Sequence, residues 1–157
     1  MRNWAPLIVV LALLTLLAAL FGPGLYRGIL LRRSVGSLLD AVRAGRTADI
    51  VTQMVPDQQQ EVAGLLAQYL PADYPEKITS LRLSSVRGED DLRAITIVTC
   101  KINQGELTGI YQGQLVWHYR DGRWEWDFLA SGGAELTLSG EPAWVRLSDL
   151  IPEAENL

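Results

Sequence analysis

Few side chains in the sequence have the type and spacing that catalysis requires. The single histidine, His118, precedes an Asp121-Gly122 dipeptide, and the hairpin that this dipeptide predicts places His118 opposite Glu125. A histidine oriented by a carboxylate can act as a general base. The same two residues can also form an ordinary cross-strand ion pair on the solvent side of a sheet, and we favour that interpretation.

The remaining reactive groups form no catalytic or metal-binding pattern. Cys100 is the single cysteine and lies in an alternating apolar run, so we expect a buried, inert thiol and no disulfide. One histidine and one cysteine do not make a zinc or haem site. Glu89-Asp90-Asp91 lacks the ligand spacing of a calcium loop. We predict no catalytic residue, no metal and no cofactor, and we expect that the protein is not an enzyme.

The elements around these residues follow from hydrophobic periodicity. From residue 78 onward apolar and polar residues alternate, which predicts strands, and the connections are too short for crossover helices. The five strand candidates are 78–86, 92–103, 107–120, 123–130 and 134–138. We therefore expect an antiparallel sheet.

Two to three helices are predicted before the sheet. The first is capped by Ser34 or Ser37 and ended by Gly45, and a short second helix starts at Thr47. A capping box of Asp57 and Gln60 opens the third. The predicted fold class is α+β, with helices packed on a curved sheet.

The Asp121-Gly122 dipeptide also predicts the register of its two strands, because it is typical of two-residue hairpin turns. The pairs expected on one face are Tyr119–Trp124, Trp117–Trp126, Leu115–Phe128 and, if Gln104-Gly105 closes the preceding hairpin, Val98–Tyr111. We interpret this aromatic face as the core. Gly109 and Gly113 interrupt the third strand, which indicates a sheet that curls around the helices. The opposite face mixes apolar and polar residues, so it is half exposed or covered by a partner.

Residues 4–21 have the composition of a membrane-spanning helix. They carry no charge, and about 20 residues rising 1.5 Å each cross roughly 30 Å of hydrocarbon. Trp4 and Tyr26 bracket the run, and Gly22-Pro23-Gly24 is predicted to break the helix near the headgroups. A cleaved signal peptide is the alternative, but the apolar run is longer than usual and no clean cleavage site comes after it.

Charge divides the chain at the end of this segment. Residues 1–33 carry +4, including Arg27, Arg32 and Arg33 at the expected membrane interface, whereas residues 34–157 carry −8. An acidic domain is repelled by phosphate backbones, so we expect no nucleic-acid partner. The positive-inside rule favours a cytoplasmic domain, but a helix with a short leader more often exports the domain behind it. We slightly favour the extracytoplasmic side.

The predicted organisation has three parts. Residues 1–33 form the anchor and basic juxtamembrane segment, and 34–140 form the α+β domain. Residues 141–157 form a tail that is too apolar to be solvated freely, so it packs on the domain or on a partner. The candidate interaction residues in this tail are Trp144, Leu147, Leu150 and Ile151.

The order of these elements resembles a known superfamily. A membrane helix, helices containing the stretch from Asp40 to Val51, a curled antiparallel sheet and a Gly-Arg-Trp-x-Trp hairpin resemble the nuclear-transport-factor/ketosteroid-isomerase-like (SnoaL-like) superfamily, especially its small membrane-anchored bacterial members of unknown function. The resemblance covers about residues 34–138 and implies a cone-shaped fold with a pocket between the helices and the concave sheet. A cystatin-like arrangement of a helix on a sheet is the alternative. No catalytic residue of the superfamily can be carried over.

Three functions are compatible with these features. We expect a non-catalytic accessory or interaction protein that is held in the bilayer by residues 4–21 and that binds a larger membrane complex or a second copy of itself. The alternative is a domain that binds a small apolar ligand, with Tyr111, Trp117 and Trp126 as candidate pocket walls. An isomerase- or hydratase-like enzyme comes third.

Overall fold

A computed structural model describes residues 5–88, 90, 92–135 and 145–146. The first element, α1 (Ala5–Arg43), is one helix of 39 residues. The predicted break at Gly22-Pro23-Gly24 is therefore wrong. A proline removes one backbone hydrogen bond, and a long helix can continue past that loss. Ser34 and Ser37 lie inside α1 and do not cap a separate helix.

The two halves of α1 have different environments. Large apolar side chains from Ile8 to Ile29 are exposed, whereas Leu31, Val35, Leu38 and Leu39 are buried at helical spacing. Within the described part of the chain, α1 is the one helix that is long and apolar enough to cross a membrane, with a mean hydropathy of 2.5 in its most apolar window. It lies near the N-terminus, where a signal sequence has the same composition.

Short helical segments come next along the chain. They are α2 (Thr47–Thr52), a 3₁₀ turn (Pro56–Gln58), α3 (Gln59–Tyr69) and α4 (Tyr74–Lys77). The prediction for α2 is confirmed. The capping box of Asp57 and Gln60 is not formed, because α3 begins two residues later and has no side-chain cap. The α4 helix is not among the predicted helices.

The sheet is antiparallel and its strands follow chain order. They are β1 (Ile78–Gly88), β2 (Arg93–Gln104), β3 (Leu107–Arg120), β4 (Arg123–Glu135) and β5 (Val145–Arg146). The α+β class and the curved antiparallel sheet are confirmed. The separate fifth strand at 134–138 is wrong: Ala134 and Glu135 are the end of β4, and 136–138 lie outside the described residues. The sheet thus has four long strands, and the two-residue β5 pairs with Gly132 and Gly133.

The predicted register of β3 and β4 holds near the turn and fails farther away. Trp117 pairs with Trp126 and Tyr119 with Trp124, as expected from the Asp121-Gly122 turn. Asp121 and Gly122 have φ of 50° and 80°, as a type I′ turn requires. Beyond Val116 the register shifts, so the Leu115–Phe128 pair does not form. A bulge at the middle of β4 causes this shift.

The predicted register of β2 and β3 is wrong by two residues. The turn consists of Gly105 and Glu106, so Tyr111 pairs with Cys100 and Val98 pairs with Gly113. Because side chains alternate with a period of two, a slip of two residues leaves every side chain on its predicted face.

The core lies between α1, the short helices and the concave face of the sheet. Its largest fully buried side chain is Trp117, whose indole Nε1 donates to Thr96 Oγ1 at 2.9 Å. The opposite face is more covered than expected, because Val116, Glu125 and Thr99 are buried there. Residues 53–55 run beside the edge of β4: the Val55 amide donates to the Trp126 carbonyl at 2.9 Å, and the Trp126 amide donates to the Gln53 carbonyl at 2.7 Å.

Candidate functional site

An apolar cavity of about 610 Å³ lies between α1 and the concave face of the sheet. The helix contributes aliphatic side chains, and the strands contribute aliphatic, aromatic and glycine positions. Its described lining is Leu38, Leu39, Val42, Leu81, Val98, Cys100, Tyr111, Gln112, Gly113, Leu115, Trp126, Gly132, Gly133, Ala134 and Glu135. Cavities of roughly 300–1,000 Å³ with mostly apolar walls are typical of sites for small molecules.

Glycines on the strands create this space. Gly113 on β3 lies between Tyr111 and Leu115 on the concave side, and its partner across the sheet is Gly133 on β4. A Cβ at Gly113 would come no closer than 3.7 Å to the Leu115 side chain, which is ordinary contact. The sheet therefore tolerates a Cβ at Gly113, and the lack of a side chain there leaves room opposite α1.

A bulge stabilised by Ser131 shapes the wall formed by β4. The Ser131 hydroxyl is fully buried, accepts hydrogen bonds from the Val116 amide at 3.0 Å and Trp126 Nε1 at 2.8 Å, and donates to the Asp127 carbonyl at 2.6 Å. The Ser131 hydroxyl thus replaces backbone hydrogen bonding between β3 and β4 that the bulge interrupts. The bulge places Gly132, Gly133 and Ala134 along the cavity.

The structure brings two of the three predicted pocket residues to the cavity. Tyr111 and Trp126 line it, whereas Trp117 packs within the core and is not part of the lining. Sequence reasoning did not assign Leu38, Leu39 and Val42 to the pocket. Their spacing on one face of a helix was the available signal.

The thiol of Cys100 lies in the cavity wall and is half-buried. Burial raises the pKa of the Cys100 thiol above its ordinary value, since the thiolate would be poorly solvated there. A higher pKa leaves less of the nucleophilic thiolate at neutral pH, which agrees with the expectation of an unreactive thiol.

The histidine forms a different pair from the one predicted. His118 Nε2 lies 2.9 Å from Asp127 Oδ2, while Glu125 turns to Arg123, whose Nε and Nη2 both donate to Glu125 Oε1. The pairing of His118 with the Glu125 side chain is therefore wrong, although the two residues are opposite each other in the ladder. Diagonal neighbours on a twisted sheet are within reach of long side chains, and Asp127 is such a neighbour.

Asp127 is held as a carboxylate by its surroundings. Burial alone would raise its pKa, but hydrogen bonds from Gln58 Nε2 at 2.8 Å, the Ala130 amide at 3.1 Å and His118 outweigh burial and lower the pKa of Asp127. By strand alternation, His118 and Asp127 lie on the side of the sheet opposite the cavity. In the part of the chain that the structure describes, no three His, Cys, Asp or Glu side chains are grouped to hold a metal ion.

The predicted interface residues fall in two groups. Tyr26 is 59% exposed, and Arg32 and Arg33 are exposed on α1. The Arg27 carbonyl accepts a hydrogen bond from Trp124 Nε1 at 2.8 Å, and its guanidinium lies 5.2 Å from the centre of the Tyr119 ring. The other candidates lie outside the described residues; they are Trp4, Trp144, Leu147, Leu150 and Ile151.

Comparisons with known proteins give a limited result. No family model matches the chain, and no curated protein matches it. Among solved structures, a designed NTF2-like protein matches with a TM-score of 0.46 and 19% identity over 61% of this chain and 90% of its own. A SEC-C motif containing protein from Rhodopseudomonas palustris matches with a TM-score of 0.42 and 15% identity over 56% of this chain and 67% of its own.

Proposed function

We propose that this chain is a single-pass membrane-anchored protein whose α+β domain binds a small apolar ligand between α1 and the concave sheet. The observation that carries the proposal is the cavity of about 610 Å³ with Tyr111 and Trp126 in its wall. An apolar site of this size favours ligands with few polar groups, because a buried polar group without a partner costs free energy. Apart from the Tyr111 phenol and the Cys100 thiol, Gln112 and Glu135 are the polar residues of the described lining.

The anchor is proposed from the exposed half of α1. Exposed aliphatic side chains from Ile8 to Leu25 form no part of the domain core, and water would solvate such a surface poorly. Burying it in hydrocarbon removes that cost. Because α1 continues without a break into the domain, the domain is held close to the membrane surface, on the side that we propose to be extracytoplasmic.

We also propose membership of the nuclear-transport-factor/ketosteroid-isomerase-like superfamily, in its membrane-anchored branch. The order of helices before a curved antiparallel sheet supports it, as does the cavity in the position that the resemblance implies.

Cys100 offers a direct test of ligand binding. The full chain is placed in lipid nanodiscs, and the rate of Cys100 labelling by N-ethylmaleimide is measured with increasing N-phenyl-1-naphthylamine, a neutral apolar probe, at an alkaline pH that populates the thiolate despite the raised pKa of Cys100. Because Cys100 is the single cysteine and lines the cavity, an occupied cavity slows its labelling. Unchanged labelling at saturating probe would contradict the proposal.

A matched pair of variants separates the effect of filling the cavity from the general effect of a glycine-to-valine substitution. Gly113→Val places an isopropyl group in the cavity without a backbone clash, and overpacking of a site typically costs ~1–3 kcal/mol, so we expect probe affinity to fall about tenfold or more. Gly88→Val makes the same change at an exposed strand end with nothing within 4 Å, and we expect its affinity to equal that of the wild type.

A second proposal is an accessory subunit of a larger membrane complex or homo-oligomer. The observation in its favour is the edge strand β1, which is exposed from Ser84 to Gly88 and can pair with a strand of another chain. Purification from native membranes in mild detergent tests it. A partner should be recovered with the wild type and lost with Val86→Lys, because a lysine on an edge opposes strand pairing. Recovery of a monomer alone would reject it.

A further inference from the structure

The apolar cavity between α1 and the sheet has a buried end and an exposed end. Four residues that pair across four neighbouring strands all line it; they are Leu81, Cys100, Tyr111 and Glu135. Exposure increases along this row from Leu81, which is 9% exposed, to Glu135, which is the one exposed residue of the described lining. Toward the Asp121-Gly122 turn, the wall is buried, since Trp126 on β4 is 8% exposed. The mouth of the cavity is therefore at Tyr111 and Glu135.

The mouth carries a negative charge. Glu135 is the single charged residue of the described lining. Arg43 directly follows the lining on α1, but its Nη1 is paired with Asp40 Oδ1 at 2.8 Å. On β5, Arg146 lies opposite Gly132 and so falls outside the row that contains Glu135. The lining thus attracts a cation at its mouth and repels an anion there.

Tyr111 adds to the preference for a cation. It pairs directly with Glu135, and directly opposed residues on one face of a sheet have Cβ atoms about 4.5–5.5 Å apart. A Cβ at Gly109 would lie 2.6 Å from Tyr111 Cε2, so the ring leans over Gly109 and away from Gly113, and it borders the cavity without filling it. A cation bound to the Glu135 carboxylate is then within the distance of about 6 Å at which an aromatic ring attracts it.

We propose that the ligand of this cavity is a cationic amphiphile, such as a long-chain amine. The inference rests on the proposed ligand binding and names the class of ligand. The alkyl chain packs between Leu38 and Trp126, and the ammonium binds Glu135 beside Tyr111. Burial removes the chain from water while the charge stays at the exposed mouth, as it does when lysine packs its stem on an apolar surface. A fatty acid fits poorly, because its carboxylate would meet that of Glu135.

Three ligands of equal chain length test the head group. Dodecylamine, dodecanol and dodecanoate are titrated at neutral pH against the full chain in phosphatidylcholine nanodiscs, and each affinity is measured by displacement of N-phenyl-1-naphthylamine, followed by tryptophan-sensitised fluorescence of this probe. The amine is protonated at this pH, as lysine is. Because the three ligands partition differently into the bilayer, each affinity is compared with that of Glu135→Gln in identical nanodiscs.

The three ligands should respond differently to Glu135→Gln. We expect the affinity for dodecylamine to fall about fivefold, the upper end of what an exposed ion pair supplies, while that for dodecanol is unchanged and that for dodecanoate rises. Glu135→Lys should reverse the order, so that dodecanoate gains and dodecylamine loses relative to the wild type. An equal change for the amine and the alcohol, or an unchanged order in Glu135→Lys, would overturn the proposal.

Glu61→Gln is the matched control for the change in net charge. Glu61 is exposed on α3 and is not part of the described lining, so all three affinities should equal those of the wild type. Glu135 is also exposed, and its substitution should leave the Tm unchanged. A loss of dodecylamine affinity in Glu61→Gln as large as in Glu135→Gln would assign the effect to net charge and overturn the role of Glu135.

The naphthylamine probe separates this inference from the proposed function. If the wild type shows no probe binding that Gly113→Val removes, the apolar cavity binds no ligand and both proposals fail. If Gly113→Val removes probe binding but the three dodecyl ligands respond equally to Glu135→Gln, the cavity binds an apolar ligand and only the cationic class is wrong.

Discussion

Ser131→Ala should destabilise the domain strongly, because one hydroxyl satisfies three backbone or side-chain groups in the bulge of β4. Without it, the Val116 amide and Trp126 Nε1 lose their acceptor in a site where Ser131 is fully buried. A buried donor left unpaired costs about 1–3 kcal/mol, so two donors give about 2–6 kcal/mol, with the lower end expected if the bulge relaxes.

Thermal unfolding of the full chain in mild detergent, followed by tryptophan fluorescence, measures this loss. A change of 1 kcal/mol shifts the Tm of a domain of about 100 residues by roughly 4 °C or more, so we expect a decrease of at least about 8 °C. Ser85→Ala is the control, because Ser85 is exposed on β1 and such substitutions usually change stability by less than about 0.5 kcal/mol. A Ser131→Ala variant as stable as Ser85→Ala would refute the role assigned to the hydroxyl.

Three other changes test contacts elsewhere in the domain. Gly109→Ala places a Cβ 2.6 Å from Tyr111 Cε2, so we expect about 1–3 kcal/mol of destabilisation and weaker probe binding at the cavity; an unchanged Tm and affinity would contradict this contact. Trp124→Phe removes the hydrogen bond to the Arg27 carbonyl, so chemical denaturation should show that the free energy of unfolding falls by about 1 kcal/mol. Amide hydrogen exchange near Arg27 should also become faster. The pKa of Asp127 is lowered in the folded state, so its contribution to stability is present above about pH 4 and is lost as the pH falls through the folded-state pKa. Asp127→Asn should therefore flatten the acid side of a plot of unfolding free energy against pH. An identical plot for the variant and the wild type would contradict the hydrogen bonds assigned to Asp127.

The sequence predicts best where local chemistry decides the structure. The Asp121-Gly122 turn requires positive φ at two successive positions, which few dipeptides adopt, so it fixed the pairing of Trp117 with Trp126. Alternation then assigned Tyr111 and Trp126 to the concave side, where the cavity lies. The Gln104-Gly105 turn was placed one residue too early, but the resulting slip of two residues preserved the faces.

Tertiary contacts explain what could not be predicted. Ser131 occurs in a short polar and glycine-rich stretch that is typical of a turn, and nothing local indicates that its hydroxyl closes a bulge. The partner of His118 depends on the twist of the sheet and on Gln58, which lies far away in the sequence. The continuity of α1 through Pro23 could not be predicted from residue type either. Proline occurs both at helix ends and inside long helices that tolerate it, so its presence alone does not distinguish the two cases.

The cavity between α1 and the sheet is the basis of the proposed function, and ligand recovery tests it most directly. The full chain is purified from native membranes in mild detergent, extracted with organic solvent, and its small molecules are quantified per chain by mass spectrometry. We expect one apolar compound at close to one per chain in the wild type and in Gly88→Val, and its loss in Gly113→Val. No such compound in the wild type, or equal amounts in Gly113→Val, would contradict the account.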